Sequence, residues 1–248
     1  MTDGICALSL IPLREAGQHT APLISEVLYG SIFKILTPQK KWSKVRLHDK
    51  TEGWLCNTQF KEITAEDFEK LSNQKPIIST DLVEFIYKDK QILFPISIGS
   101  YVQRASFLGH HFDGLASSGK AQKENLRSMA FMFINTPFRK GGKSPFGIDA
   151  GGLVQTVYAL CGISLPRTAA AQADKGSVLS FIEESEAGDV AFFDDSEGEI
   201  IHVGIILENN HIIHAHGHVR VDRLDQTGIF NPELRTHTHK LRLIKSMV

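Results

Sequence analysis

The sequence predicts an α+β fold, in which one or two small β-barrels precede a domain built from a central helix packed on an antiparallel sheet. Three observations support this prediction. Short apolar runs separated by Gly, Pro and Lys-rich turns fill the first part of the chain. A strongly apolar segment at 150–161, followed by Gly162, has the length and ending of a buried helix. After it, apolar runs at hairpin spacing predict a meander of strands.

Residues 1–65 are predicted to form a first barrel. Within 42–47 the residue types alternate in a partly regular strand pattern, and Glu52-Gly53-Trp54 would turn the chain into the next strand. The predicted strand-containing runs are 6–14, 24–36, 41–49 and 52–60.

A polar connector at 72–76 opens a second segment, 66–118, which we predict to be a further barrel-like unit, or an elaboration of the first, with a linker. The small-residue linker occupies 114–119. The predicted strands of this segment are 82–88, 91–98 and 100–109.

Residues 119–248 are predicted to be the second domain. It begins with a helix at 124–134 whose apolar face carries Leu126, Met129, Ala130, Phe133 and Ile134. Asp149 is a suitable N-cap for the helix at 150–161. The predicted strands are 188–195, 200–208, 211–216, 218–224 and 240–245, with a hairpin turn at Asn209-Asn210.

The overall charge argues against polyanionic partners. The chain of 248 residues is 42% hydrophobic and 22% charged, with 27 Lys+Arg against 28 Asp+Glu. This is the composition of a globular protein, and a net charge of −1 provides no global positive field. We therefore expect neither nucleic acid nor a membrane surface as a partner, while the oligomeric state is not indicated.

The start of the chain does not resemble a secretory signal. Asp3 stands where Lys or Arg would be expected, and Pro12 interrupts the first apolar run. No uncharged apolar stretch reaches the length of a membrane span. A cytoplasmic location is the resulting prediction.

Cysteine usage predicts neither disulfides nor a thiolate metal site. Cys6, Cys56 and Cys161 are odd in number, far apart and without CxxC spacing. Each has apolar neighbours, so we expect reduced core residues. No cofactor is expected.

Seven of the eleven histidines lie between His202 and His239, and three interpretations compete. His202 and His214 on adjacent strands could be catalytic partners near the start of the 150–161 helix, where the helix dipole would stabilise a thiolate. Alternatively His214, His216 and His218 would share one face of a straight strand and could bind zinc, although Gly217 would interrupt that strand. His211, His237 and His239 are expected to be solvated strand residues without a task.

The C-terminal half resembles the NlpC-type murein peptidase family of papain-like cysteine enzymes, specifically the bacterial members that cleave after γ-D-glutamate in cell-wall peptides. The resemblance covers about 120 residues. The segments EVLYGSIFKILTPQKKWSKVRL and EGWL are similar to the bacterial Src-homology-3-like barrel that precedes this peptidase domain. The C-terminal matching stretches are GGKSPFGIDAGGLVQTVYALCGISLPR, SFIEESEAGDVAFFD and IIHVGIILENNHIIHAHGHVRVDRLD.

The resemblance implies a papain-like fold and a set of site residues. Ala150 occupies the position of the nucleophilic cysteine, His202 that of the catalytic base, and His214 that of its orienting partner. An alanine methyl group can neither ionise nor attack a carbonyl. The implied substrate-binding positions are Thr51, Glu52, Asp149, Gly151, Arg167 and Thr168.

Further positions depart from those of the resembled enzymes. Phe138-Arg139-Lys140-Gly141-Gly142 replaces a Tyr-Leu-Trp-Gly-Gly loop, Thr51 replaces a tyrosine, and Thr168 replaces an aspartate. Losing that acid and two aromatics should weaken recognition of a peptide ammonium group.

The leading hypothesis is a catalytically inactive relative that still binds a cell-wall peptide or another small ligand in its cleft. The alternative is an active muropeptide-recycling peptidase whose nucleophile was replaced by alanine, but a single replacement would leave the other pocket positions intact. A third hypothesis is a structural protein whose cleft is filled by Arg139 and Lys140.

Overall fold

A computed structural model describes residues 3–118, 123 and 125–247. The chain divides into two compact units, Met1–Gly119 with Lys140–Pro145, and Lys120–Arg139 with Phe146–Val248. Gly119, the end of the predicted linker, and Glu124, the start of the predicted helix, lie outside the described residues. Among the described residues, no helix is both long and apolar enough to cross a membrane.

The first unit is built mainly from antiparallel strands, as predicted. The elements are β1 (Asp3–Ile5), β2 (Leu10–Arg14), β3 (Leu23–Leu28), β4 (Ile32–Pro38), β5 (Trp42–Arg46), β6 (Glu52–Cys56), β7 (Lys61–Ile63), α1 (Ala65–Ser72), β8 (Ile78–Ser79), β9 (Val83–Lys88), β10 (Gln91–Ser97), β11 (Ala116–Ser117) and β12 (Lys143–Ser144). Seven of these strands form one sheet in the order β3-β2-β6-β5-β4-β1-β7.

Successive side chains along a strand point to opposite faces of the sheet, so one set of apolar side chains packs into a common core. The members of this core are Cys6, Ile11, Leu13, Val27, Phe33, Val45, Leu55 and Phe60. One strand prediction in this unit is wrong. Residues 100–109 form short 3-10 turns at Val102–Arg104 and Ser106–Leu108, because Arg104 is buried and its guanidinium donates to the carbonyl oxygen of Gly30.

The second unit combines short helices with a larger antiparallel sheet. Its elements are α2 (Asn125–Phe131), β13 (Gly147–Ile148), α3 (Ala150–Leu160), α4 (Ala169–Ala173), β14 (Ser177–Leu179), β15 (Val190–Asp194), β16 (Ile200–Leu207), β17 (His211–His216), β18 (His218–Leu224), β19 (Gly228–Asn231) and β20 (Thr236–Ser246). Sequence reasoning missed β14 and β19.

The strands of the second unit close into a ring. The sheet order is β14-β20-β15-β16-β17-β18-β19, and β19 also pairs with β20, so six strands surround a shared interior. The turn at Asn209 and Asn210 has positive φ at both residues, as the predicted hairpin requires. An apolar cluster of this sheet contains Ala191, Phe193, Ile206, Ile212, Leu224, Ile229 and Ile244.

Helix α3 confirms the predicted central helix. The Asp149 side chain caps it by accepting from the Gly152 N–H at 2.7 Å, and Gly162 with φ of 76° follows its end. The helix is buried along nearly its whole length and packs on β16 and β17. Those two strands carry His202 and His214.

Helix α2 is shorter than predicted. It ends at Phe131, and although Leu126, Ala130 and Phe133 are buried, Ile134 is 39% exposed. The chain leaves the helix because Asn135, with φ of 64°, begins a connection whose backbone hydrogen bonds run to Val219. Ile134 is therefore not part of the core.

Gly228 controls the closure of the ring, and Gly228→Ala should disrupt it. Gly228 has φ of 147°, and a Cβ there would lie 1.8 Å from the carbonyl oxygen of His239. We expect a loss of about 1 to 3 kcal/mol in unfolding free energy, measured by urea titration. Hydrogen exchange should also show lost protection of the Leu241 N–H, which donates to Thr227 at 3.0 Å.

Gly217→Ala is the matched control. Gly217 also has positive φ, but no atom lies within 4 Å of an added Cβ. This variant should show backbone strain alone and keep the Leu241 amide protected. Equal loss of that protection in both variants would contradict the steric explanation.

Candidate active site

A hydrogen-bonded chain of three side chains crosses three neighbouring strands of the ring. His202 Nε2 on β16 lies 2.9 Å from His214 Nδ1 on β17, and His214 Nε2 lies 3.1 Å from Asp222 Oδ2 on β18. Strand register explains the alignment, because Gly204 pairs with His214 and Ile212 pairs with Asp222. Residues two apart along a strand share a face.

The hydrogen bonds define the tautomers. An ionised Asp222 carboxylate only accepts, so the Nε2–H of His214 donates to it. Neutral His214 then has its lone pair on Nδ1, which accepts from the Nε2–H of His202. His202 is left with a lone pair on Nδ1, the form required of a general base.

Burial keeps these imidazoles neutral. His214 is fully buried and His202 is 6% exposed. Desolvation, together with repulsion from His239 and His214, lowers the pKa of His202 well below its ordinary value. Burial also lowers the pKa of His214, although its hydrogen bond to Asp222 opposes that shift.

Asp222 is held as a carboxylate by the hydrogen-bond donors around it. Burial alone would raise its pKa, but hydrogen bonds from His214 and Arg220 outweigh burial and lower the pKa. The Arg220 Nη2 lies 3.1 Å from Asp222 Oδ1, and its Nη1 lies 3.2 Å from Glu233 Oε2. The chain of polar contacts thus runs from His202 out to the surface.

The start of α3 is a second built feature. The Asp149 carboxylate accepts from the Arg167 guanidinium through two contacts of 2.7 and 2.8 Å. Gly151 allows the backbone of Arg167 to lie close to the start of the helix, since a Cβ at position 151 would lie 2.6 Å from the carbonyl oxygen of Arg167. Gln172 Nε2 donates to the carbonyl oxygens of Gly151 at 2.9 Å and Pro166 at 2.8 Å. These two hydrogen bonds hold the segment that precedes α4 against the start of α3.

Position 150 carries no reactive group. Ala150 is buried at the first turn of α3. The three thiols of the chain do not replace it, because all three are buried. Burial raises the pKa of Cys6 to about 12 and that of Cys161 to about 11, and Cys161 follows the far end of α3, about 16 Å along the helix.

The prediction that His239 is a solvated strand residue is wrong. Its ring stacks on His202 with centroids 4.0 Å apart, and the side chain is only partly exposed. The cause is strand β20, which is longer than predicted and brings residue 239 opposite Ile229. His237, in contrast, is exposed and pairs with Asp225 at 2.9 Å.

The metal grouping predicted from sequence also differs from the observed one. Gly217 reverses the chain, so His216 and His218 face each other across β17 and β18 instead of following one straight strand. Within 3–118, 123 and 125–247, one group of His, Cys, Asp and Glu side chains is spaced to hold a metal ion. Its members are His202, His214 and His239, whose donor atoms all lie within 4.8 Å of one another.

The other predicted site residues fall in two units. Thr51 and Glu52 belong to the first unit, where Glu52 pairs with Lys44 and Arg46 at 2.9 and 2.6 Å. Thr168 is an exposed residue of the second unit, and its hydroxyl caps α4 by accepting from Ala171 at 3.3 Å. Arg139 and Lys140 are both exposed.

Sequence reasoning missed Asp222, Arg220 and His239. Asp222 could have been found from the sequence. A hairpin centred on Gly217 places His214 opposite Arg220, and Asp222, two residues after Arg220, lies on the same face of the sheet. His239 carried no such local signal, since its position depends on pairing with β19.

Two parts of the chain match known domain families. Residues 135–238 match the NlpC/P60 family, and residues 13–60 match the bacterial dipeptidyl-peptidase Sh3 domain. The chain thus carries an NlpC/P60 domain behind a bacterial Sh3 domain, as the resemblance implied.

Similar proteins match most of the length of this chain. The chain is 24% identical over 217 residues to a γ-D-glutamyl-L-lysine dipeptidyl-peptidase of Bacillus subtilis, covering 77% of this chain and 71% of that one. It is 26% identical over 251 residues to dipeptidyl-peptidase 6 of Lysinibacillus sphaericus, covering 87% and 90%. A crystal structure of an NlpC/P60 family protein from Bacillus cereus superposes with a TM-score of 0.80, at 17% identity and 99% coverage of both chains, which confirms the fold.

The neutral histidine cluster should make stability fall with acid. Burial lowers the pKa of His239 to about 4, and the pKa values of His202 and His214 are lowered as well. Below the ordinary value near 6.5, the unfolded chain binds protons that the folded chain excludes. The free energy of unfolding should therefore be fully present above pH 6.5 and decline towards pH 4, by at most about 1.4 kcal/mol per pH unit for each histidine.

Urea titrations at pH 7.0, 6.0, 5.0 and 4.5 would measure this decline. His239→Asn should flatten it, since one proton-excluding ring is removed. His211→Asn leaves the cluster intact and should keep it. A pH-independent unfolding free energy across this range would refute the assignment of neutral rings.

Proposed function

We propose that this chain is a catalytically inactive NlpC/P60 protein that binds γ-D-glutamyl peptides of the cell wall without cleaving them. The observation that carries the proposal is the methyl group of Ala150 at the start of α3, where the resemblance requires a thiol. A cytoplasmic location, predicted from the sequence, is part of this proposal.

The side chains around a thiol at position 150 would each have a role in peptide cleavage, and the alanine at that position makes these roles impossible. In a cysteine peptidase of this arrangement, His202 Nδ1 would take the thiol proton, and the thiolate would attack the γ-glutamyl amide. His214 and Asp222 would orient the ring, and a backbone N–H at the helix start would stabilise the oxyanion. Without sulfur the first bond cannot form, so an intact base has no nucleophile to activate.

The proposed ligand follows from the relatives that the chain resembles over most of its length. Two of them are named as dipeptidyl-peptidases, one of them specific in name for γ-D-glutamyl-L-lysine. We assign Gly151 and Thr168, both in the second unit, to ligand contact. Thr51 and Glu52, in the first unit, stay ligand-binding positions that the resemblance implies. Asp149 and Arg167 satisfy each other, so we assign them to holding the helix start instead.

Loss of peptidase activity in nature agrees with the other departures. Thr168 replaces an acid, and a charge-assisted hydrogen bond is worth about 1.5 to 3 kcal/mol. In addition, the Phe138-Arg139-Lys140 loop and Thr51 differ from the resembled enzymes at positions that carry aromatic residues there. Replacement of one cysteine in an otherwise active hydrolase would leave these positions unaltered, and that alternative makes a different prediction for Ala150→Cys.

The purified protein should bind L-Ala-γ-D-Glu-L-Lys without cleaving it. Calorimetry would measure binding, and mass spectrometry would measure release of L-Ala-γ-D-Glu. Removal of a catalytic nucleophile costs on the order of 10⁶-fold in rate, so product should stay at the level of the enzyme-free control. Turnover by the unmodified chain would refute the proposal, and absence of binding would refute its ligand.

The Ala150→Cys variant distinguishes a naturally inactive protein from an active hydrolase whose cysteine was replaced. The new thiol, at the start of the helix that packs on the His202 strand, should react with iodoacetamide faster than the three native thiols. Ala150→Cys combined with His202→Ala is the matched control and should lose the rate advantage. We expect hydrolysis to remain absent in Ala150→Cys because the pocket has also changed; full recovery of hydrolysis would support the hydrolase alternative.

A further inference from the structure

The histidine cluster has an arrangement suited to a second purpose that needs no thiol. We propose that His202, His214 and His239 bind a divalent transition metal ion, with Zn²⁺ as the preferred probe. The proposal goes beyond peptide binding and does not depend on it.

The first argument is the convergence of three imidazoles. The donor nitrogens of His202, His214 and His239 lie within 4.8 Å of one another. Neutral imidazole is a common ligand of Zn²⁺, with Zn–N distances of about 2.0 to 2.1 Å. Three histidines with one open position form an established type of zinc coordination.

The second argument is the support around two of the rings. Metal-binding histidines usually donate the N–H of their other ring nitrogen to a carboxylate or another acceptor. His214 Nε2 contacts the Asp222 carboxylate at 3.1 Å, which leaves Nδ1 as the donor to a metal. His239 Nδ1 contacts the Thr238 hydroxyl at 2.9 Å, and that hydroxyl donates to the Ile229 carbonyl at 3.4 Å, which leaves His239 Nε2 as the donor.

The third argument concerns the space between His202 and His214. Their facing nitrogens are 2.9 Å apart, with the Nε2–H of His202 between them. Two nitrogens on one tetrahedral zinc ion lie about 3.3 Å apart, so the ion can enter when that proton moves to Nδ1 of His202, the two nitrogens separate by about 0.4 Å and the rings turn until both lone pairs point at the metal. The Asp222 carboxylate behind His214 supplies negative charge that offsets the charge of the ion.

One member of the cluster, His239, lines a cavity. A cavity of about 410 Å³ is lined in part by His239, Ile201 and Asp194. His239 is the partly exposed member, and binding requires its ring to rotate out of its stack on His202. His216, exposed and with its ring centroid 4.9 Å from that of His239, can supply a fourth donor.

Metal uptake by the full chain without an affinity tag tests the proposal. Protein stripped with EDTA is dialysed against Zn²⁺ and its metal content measured, and Co²⁺ is used in parallel for its visible absorption. We expect one Zn²⁺ per chain and the intense absorption of four-coordinate Co²⁺. Uptake below about 0.1 equivalent, the background of unspecific sites, would overturn the proposal.

Variants locate the ion. His239→Ala should abolish stoichiometric uptake, whereas His237→Ala, two residues away and outside the cluster, should keep it. Because His202 and His214 are buried, Asp222→Asn provides a milder test and should weaken Zn²⁺ affinity about 10- to 100-fold while circular dichroism confirms folding. Unchanged uptake in His239→Ala, or equal loss in His237→Ala, would refute the assigned ligands.

Peptide binding is measured separately in EDTA, so the two proposals can fail independently. Loss of Zn²⁺ uptake with retained peptide binding would overturn the metal site alone. Zn²⁺ uptake without peptide binding would support the metal site and refute the proposed function.

Discussion

The hydrogen-bonded chain from Asp222 through His214 to His202 is the constraint on which the site depends. It exists because β16, β17 and β18 are neighbours in an antiparallel register that places one side chain from each strand on a common face. A shift by one residue in any of these strands would turn its side chain to the other face. The closed ring of strands makes such a shift costly, and the buried carboxylate requires the charged partner Arg220 and the hydrogen bond from neutral His214.

Under the proposed function, this chain keeps a general base and its support but lacks the atom that they would serve. A general base contributes to catalysis only through a group whose proton it removes, and a methyl group has none to give. The helix start remains well built all the same, with Asp149, Arg167 and Gln172 holding the backbone on both sides of Gly151. Fold maintenance and chemistry are therefore separable here, because the packing of α3 on β16 and β17 does not require a sulfur atom at position 150.

Particular elements show where sequence reasoning succeeds and where it stops. The helix at 150–161 and the hairpin at Asn209-Asn210 were predictable because apolar periodicity, capping residues and turn residues are local signals. Residues 100–109 have a strand-like composition, yet the buried Arg104 and its bond to Gly30 hold them in 3-10 turns. His239 was assigned to solvent because nothing near it in sequence indicates that β19 would pair with β20 and bring it onto His202.

The amino-acid sequence by itself determined the α+β class, the central helix with its Asp149 cap, and the absence of a thiol at position 150. Residue type, spacing and local turn chemistry are sufficient for these. Only the tertiary structure decided that Asp149 is paired with Arg167 and that His239 joins the two inner histidines. Those two arrangements depend on strand register and on contacts between separate segments of the chain, which no local pattern encodes.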